Sequence, residues 1–158
     1  MLPVIALIGR PNVGKSTLFN RLTRSRKALV DDQPGVTRDR IYGRCVQGNL
    51  RCLVVDTGGL TTKGSAIQIA VQEQVEKVID EADALVLLTD GSAGAVPEEF
   101  EIAERLRQSG QKVFVVVNKV EGLDPDIISE EFNELGLGIP SSIQAKTGFG
   151  VAELLSWS

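Results

Sequence analysis

Residues 3–16 read Pro3-Val4-Ile5-Ala6-Leu7-Ile8-Gly9-Arg10-Pro11-Asn12-Val13-Gly14-Lys15-Ser16. The first half is a short apolar run, as expected of a parallel strand covered on both faces. The second half has two glycines separated by four residues, then Lys and Ser, the spacing of a phosphate-binding loop. Leu18, Phe19 and Leu22 then fall on one helical face over 15–24. Strand, glycine-rich loop and helix in that order are the context the pattern requires. The glycines let backbone N–H groups wrap a phosphate, and the helix N-terminus adds a favourable dipole. Lys15 supplies positive charge for the β- and γ-phosphates, and Ser16 a hydroxyl for Mg²⁺.

Outward from this stretch, strands and helices alternate. Residues 25–40 are polar around Pro34-Gly35 and read as a long loop, a feature that is usually functional. Ile41–Gln47 and Leu50–Val55 read as a hairpin about Gly48-Asn49, which puts Cys45 opposite Cys52. Another loop covers 57–65, and Ile67, Val71, Val75, Val78 and Ile79 mark a helix face. Ala84–Thr89 is a strand. Pro97 opens a helix with Phe100, Ala103 and Leu106 predicted inward. Val113–Val117 is a β-branched strand ended by Asn118. Asp124-Pro125 reads as a cap and first-turn proline for a helix through Phe132 and Leu135, stopped by Gly136. Ile139–Ile143 is predicted as a last strand, and Gly150–Ser158 as a short final helix. The sum is a three-layer α/β domain with a six-stranded, mostly parallel sheet and one antiparallel strand.

The 158 residues suit one domain. There is no histidine, which excludes Ser-His-Asp triads, imidazole bases and histidine zinc sites. Two cysteines exclude a disulfide scaffold or a cysteine-only zinc cluster. Charge is uneven: residues 1–51 carry ten Lys or Arg against three Asp or Glu, a net of +7, and the remainder is −11. A basic first third fits an anionic ligand there. The apolar N-terminus is too short to span a membrane and has no basic leader. A cytoplasmic location is expected.

Three further motifs join the first. Asp56-Thr57-Gly58-Gly59 follows an apolar strand, where a carboxylate can hold Mg²⁺ through water. Gly59 can bring its N–H to a γ-phosphate. Thr37, in the long loop, is placed to join the Mg²⁺ shell when a γ-phosphate is present. Asn118-Lys119-Val120-Glu121 suits purine recognition. The Lys119 stem can cover the base, and a carboxylate can accept from guanine N1–H and N2–H₂, donors that adenine lacks. Leu60 stands where Ras-like GTPases orient water with glutamine, so slow intrinsic turnover is expected.

These residues resemble a small GTPase of the translation-factor class. With Thr17-Leu18-Phe19-Asn20-Arg21-Leu22, Pro34-Gly35-Val36-Thr37-Arg38-Asp39-Arg40 and Asp56-Thr57-Gly58-Gly59-Leu60, the chain is similar to the first GTPase domain of the Der (EngA) family, within the TrmE–Era–EngA-like GTPases. The resemblance implies a Ras-like G domain over 1–158, with a phosphate loop at 9–16, switch regions at about 28–40 and 57–72, and the base motif at 118–121. It implies GTP/GDP contacts from Gly9 through Thr17, at Asp56–Leu60, at Asn118–Glu121, and at Ala145 and Lys146. The Ala145 N–H would meet guanine O6. Ser16, Thr37 and Asp56 would hold Mg²⁺. Lys15, Thr37, Gly59 and Asn12 would serve hydrolysis, with Asn12 helping to bind K⁺ in place of an arginine finger. Family members carry two such domains and a KH-like domain and act in ribosome assembly. A monomeric fragment is therefore implied, reaching ribosomal RNA through the full-length protein.

The chain departs from the family pattern twice. Glu121 stands for Asp, so guanine preference with weakened affinity is expected; Asp124 is a conceivable substitute carboxylate. Gln144 stands for Ser before Ala145-Lys146. Arg21, Arg24, Arg26 and Lys27 form a basic cluster, read as a solvated helix end or an RNA contact. Two other functions remain open: a nucleotide-gated binding module with negligible hydrolysis, and a P-loop ATPase or kinase, against which Asn118-Lys119 argues.

Overall fold

A strand buried on both faces needs apolar residues at every position, and the two sides of the sheet show why. In the computed structural model, β1 (Val4–Ile8) sends Ala6 and Ile8 to one side and Leu7 to the other. Likewise β4 (Ala84–Asp90) sends Leu85 and Leu87 one way, Val86 and Leu88 the other. In β5 (Val113–Asn118), Val115 and Val117 oppose Val116. The structure describes residues 2–10, 12–23, 41–47, 50–56, 76 and 78–154.

The hairpin strands are β2 (Ile41–Gln47) and β3 (Leu50–Asp56), and β6 is only Ser141–Ser142. The sheet runs β2-β3-β1-β4-β5-β6, with β2 antiparallel to β3 and all other pairs parallel. This is the predicted architecture. On one face, α1 (Lys15–Thr23) buries Leu18, Phe19 and Leu22, beside α4 (Val151–Leu154). On the other lie α2 (Pro97–Ser109) and α3 (Pro125–Asn133), with Val78 and Ile79 in the same core.

The hairpin register follows the sequence: Gln47 faces Leu50 and Cys45 faces Cys52. Both cysteines are buried and not disulfide-linked. A hydrogen bond with Cys45, together with burial, holds the Cys52 thiol far above the usual range, which makes it a poor nucleophile.

Local chemistry fixes the helix ends. Asp124 caps α3, its Oδ1 accepting from Asp126 N–H at 2.9 Å, and Pro125 takes the first turn. One oxygen of the Asp124 carboxylate is thus engaged in the cap. In α2, Glu99 Oε1 accepts from Val96 N–H at 3.1 Å. The buried stripe is Glu99, Ile102, Ala103 and Leu106, at i, i+3, i+4 and i+7. Phe100, predicted inward, is 39% exposed, because it lies about 100° round the helix from Glu99. The last strand is also shorter than predicted. Pro140 has no N–H for the ladder, Ile139 is 85% exposed, and pairing begins at Ser141 opposite Val116. Of the helix predicted over 67–79, Glu76, Val78 and Ile79 are helical.

Candidate functional site

Asp56, Asp90 and Asn118 end β3, β4 and β5 on one edge of the sheet. That is the carboxyl edge, where open α/β sheets bind ligands. The first loop leaves β1 at the same edge. Gly9 is buried, Val13 is 1% exposed, and Arg10 faces the buried Glu99 with Nε 3.7 Å from Oε2. Burial pushes the Glu99 carboxyl up, against the pull of the Val96 N–H and Arg10. Asn12 takes a left-handed φ of 70°. Gly14 has φ 102°, and a Cβ there would collide with Asn118 Nδ2, so both conformation and space require glycine.

Lys15 opens α1 and is 8% exposed. Burial lowers its pKa, and the charge of Asp56, itself 3% exposed at the end of β3, pulls it back up. Ser16 and Thr17 are exposed at the same helix start. A desolvated ammonium beside the N-terminus of a helix is poised for a polyanion.

Asn118 ties the site together. Its side chain is buried: Nδ2 donates to Val13 O at 2.9 Å, and Oδ1 accepts from Ala145 N–H at 2.9 Å. One amide thereby joins the first loop, the end of β5 and the loop after β6. Lys119 reaches across in turn. Its Nζ donates to Asn12 O at 2.7 Å and lies 3.3 Å from Asp90 Oδ2. Partial burial opposes ionisation of Asp90, but hydrogen bonds from Ser92 and the Lys119 ammonium together hold its carboxyl below the usual range.

Gly14, Thr17, Asn118, Lys119, Glu121, Gln144 and Lys146 line a cavity of about 510 Å³, within the span of ligand pockets. Glu121 is exposed on its rim, and its N–H donates to Gln144 Oε1 at 3.3 Å. Val120 packs against the core. Ala145 is fully buried, and its N–H, expected to meet a base oxygen, is engaged by Asn118 Oδ1. A bound base would share that donor.

Of the predicted site residues, the structure gathers Gly9, Arg10, Asn12–Thr17, Asp56, Asn118–Glu121, Ala145 and Lys146 at one edge. Pro11, Thr37, Thr57, Gly58, Gly59 and Leu60 lie outside the described residues, as do Arg24, Arg26, Lys27 and both switch cores. Three participants escaped the sequence reading. Asp90 carried the same signal as Asp56, a carboxylate closing an apolar strand. Gln144 was noticed only as a departure. Arg21, read with its basic neighbours as a solvated helix end or an RNA contact, is exposed, and in addition its Nε donates to Ala145 O at 2.7 Å and its Nη2 to Lys146 O at 3.0 Å.

The profile of the 50S ribosome-binding GTPase family matches residues 4–119. GTPase Der of Coxiella burnetii (strain Dugway 5J108-111) is 51% identical over 157 residues, covering 99% of this chain and 35% of that protein. GTPase Der of Chromobacterium violaceum is 54% identical over 156 residues, covering 98% and 33%. The chain thus spans about a third of the length of the curated relatives it matches. Among solved structures, Era in complex with MgGDPNP and a 16S ribosomal RNA segment aligns with a TM-score of 0.77 at 26% identity, over 98% of this chain and 55% of Era. With a matching profile over most of its length and relatives about half identical across nearly all of it, the chain belongs to the 50S ribosome-binding GTPase family.

Proposed function

We propose that the chain binds GTP, hydrolyses it to GDP and phosphate, and serves as a nucleotide switch in assembly of the large ribosomal subunit, in the cytoplasm and within a longer protein. The observation that supports this reading is the pair of ties from Asn118, which join the loop before α1 to the loop after β6 beside a cavity of about 510 Å³. The relatives named GTPase Der support the assembly role. Contact with ribosomal RNA belongs, on this reading, to the longer protein, and the 158-residue chain is a monomer.

The chemistry asks for positioned charge. The amides at the start of α1 and the Lys15 ammonium bind the β- and γ-phosphates and offset the charge that develops on them. The Lys119 stem covers one face of the guanine, and the Glu121 carboxylate accepts its N1–H and N2–H₂. Ser16, Thr37 and Asp56 form the hard-oxygen donor set that Mg²⁺ takes together with phosphate oxygens and water. Held there, Mg²⁺ would supply neutralisation of phosphate charge. Gly59 would offer its N–H to the γ-phosphate, and a Thr37 contact made only while that phosphate is present would be lost on hydrolysis. The Asn12 side chain, exposed on a loop held by Lys119, would hold K⁺. An arginine finger contributes about 10³–10⁵ in rate where one is used, and K⁺ held there would supply positive charge in its place.

Single-turnover GTP hydrolysis, measured in matched KCl and NaCl, tests the reading. Faster release of phosphate in KCl is expected. Equal rates remove the K⁺ role, and no turnover in either salt leaves a nucleotide-gated binding module.

A further inference from the structure

Arg21 lies in the last turn of α1, the helix whose first residue is Lys15. The nine residues of that helix span about 13 Å, so one rigid element carries the phosphate-binding ammonium at one end and this guanidinium at the other. Arg21 is an exposed residue, but its guanidinium folds back onto a neighbouring loop. Its Nε and Nη2 donate as a fork to two successive carbonyls, Ala145 O at 2.7 Å and Lys146 O at 3.0 Å. Ala145 and Lys146 begin the loop that closes the base end of the cavity. That loop makes a tight turn of its own, with Gln144 O accepting from Thr147 N–H at 3.1 Å and Gly148 N–H at 2.8 Å. The next two carbonyls take the guanidinium, the Ala145 bond partly buried and the Lys146 bond exposed, and a carbonyl withdrawn from water requires a donor. On the inner side, the Ala145 N–H is held by Asn118 Oδ1. The residue is thus gripped from both sides, by Asn118 within and Arg21 without.

We infer that Arg21 is a positioning residue for base recognition, a clamp by which the phosphate-loop helix holds the Ala145–Lys146 loop against the purine. The inference rests on the GTP reading and adds to it a coupling between the two ends of the nucleotide. When phosphates fix the start of α1, the clamp carries that order to the base loop. Loss of the clamp shortens the lifetime of the bound nucleotide and leaves its capture rate unchanged. Lysine is a poor substitute, because one ammonium cannot reproduce a planar two-donor fork.

The test uses the 158-residue chain and a fluorescent GDP. Arg21→Ala is expected to keep its fold, checked by thermal melting, and to release GDP about tenfold faster, the scale of one charge-assisted hydrogen bond. Its association rate should stay unchanged. Millimolar guanidinium ion should slow release from Arg21→Ala and have no effect on wild type. Arg21→Lys should show most of the same loss, and it carries the test if Arg21→Ala fails to fold. Unchanged release from both variants overturns the inference. So does full rescue by Lys, which would assign the effect to charge alone. A salt-dependent RNA gel shift abolished by Arg21→Ala with GDP release intact would instead assign Arg21 to RNA. A wild-type chain that binds GDP no better than ADP would sink the GTP reading itself. A guanine-selective wild type with an indifferent Arg21→Ala would sink only the clamp.

Discussion

The loop after β1 and the loop after β5 solve related problems by different means. Each leaves the carboxyl end of a parallel strand, and each places one non-glycine residue in the left-handed region, Asn12 at φ 70° and Lys119 at φ 60°. The first loop works with its backbone. Glycine opens space, the helix start directs N–H groups outward, and the side chains of Asn12, Ser16 and Thr17 stay exposed. The second loop works with side chains. Asn118 is buried and bonded through both its amide nitrogen and its oxygen, and Lys119 reaches back to the first loop. The base motif is therefore more than a reader of the base. It is also a brace, and the phosphate loop is held in shape by residues 105 and 107 positions away.

The strongest way to break this comparison is Asn118→Ala. The change removes two buried hydrogen bonds and leaves Val13 O and Ala145 N–H unsatisfied. A loss of about 2–4 kcal/mol follows, read as a fall of roughly 5–15 °C in melting temperature, with GDP binding lost alongside. A variant with normal stability and weakened base selectivity would mean that the first loop supports itself. Glu121→Asp sharpens the other half. The Glu121 carboxylate sits exposed on the cavity rim with an extra methylene. Shortening it should improve the bidentate contact and tighten GDP by up to about tenfold, with ADP unchanged in the same calorimetric titration. Unaltered GDP affinity would remove Glu121 from base reading.

The smallest effect is expected at Glu99→Gln, beside the first loop. Glutamine keeps the cap on Val96 N–H and removes a buried charge. Burial raises the Glu99 pKa above its ordinary value of 4.5. A raised folded value contributes stability below the unfolded value and loses it as pH climbs through the folded one. Wild type should therefore lose stability over that window while Gln does not. At pH 7 the two should differ by about 1 kcal/mol or less, because Arg10 is a quarter exposed and can turn to water. Parallel pH–stability curves for the two proteins would contradict this.

The resemblance of the two loops was only half legible beforehand. Gly14, Lys15 and Ser16 could be read because the phosphate loop is one continuous segment whose chemistry depends on spacing. The Cys45–Cys52 register could be read because a two-residue turn fixes pairing by counting. Asp124 could be read as a cap because its acceptor and donor lie two residues apart. Phe100 was misplaced because hydrophobicity alone put an aromatic inward, where the buried stripe instead took Glu99.

The sequence by itself thus determined the order of elements and the mostly parallel sheet, and it marked the loop after β1 and the run at 118–121 as candidate sites, all from short windows. Only the tertiary structure decided what Asn118, Arg21 and Asp90 do. Apart from the Ser92 bonds to Asp90, their partners lie 27 to 125 residues away in the chain. A hydrogen bond needs about 3 Å and a fixed direction, and that geometry exists only after the sheet has brought its strand ends to one edge.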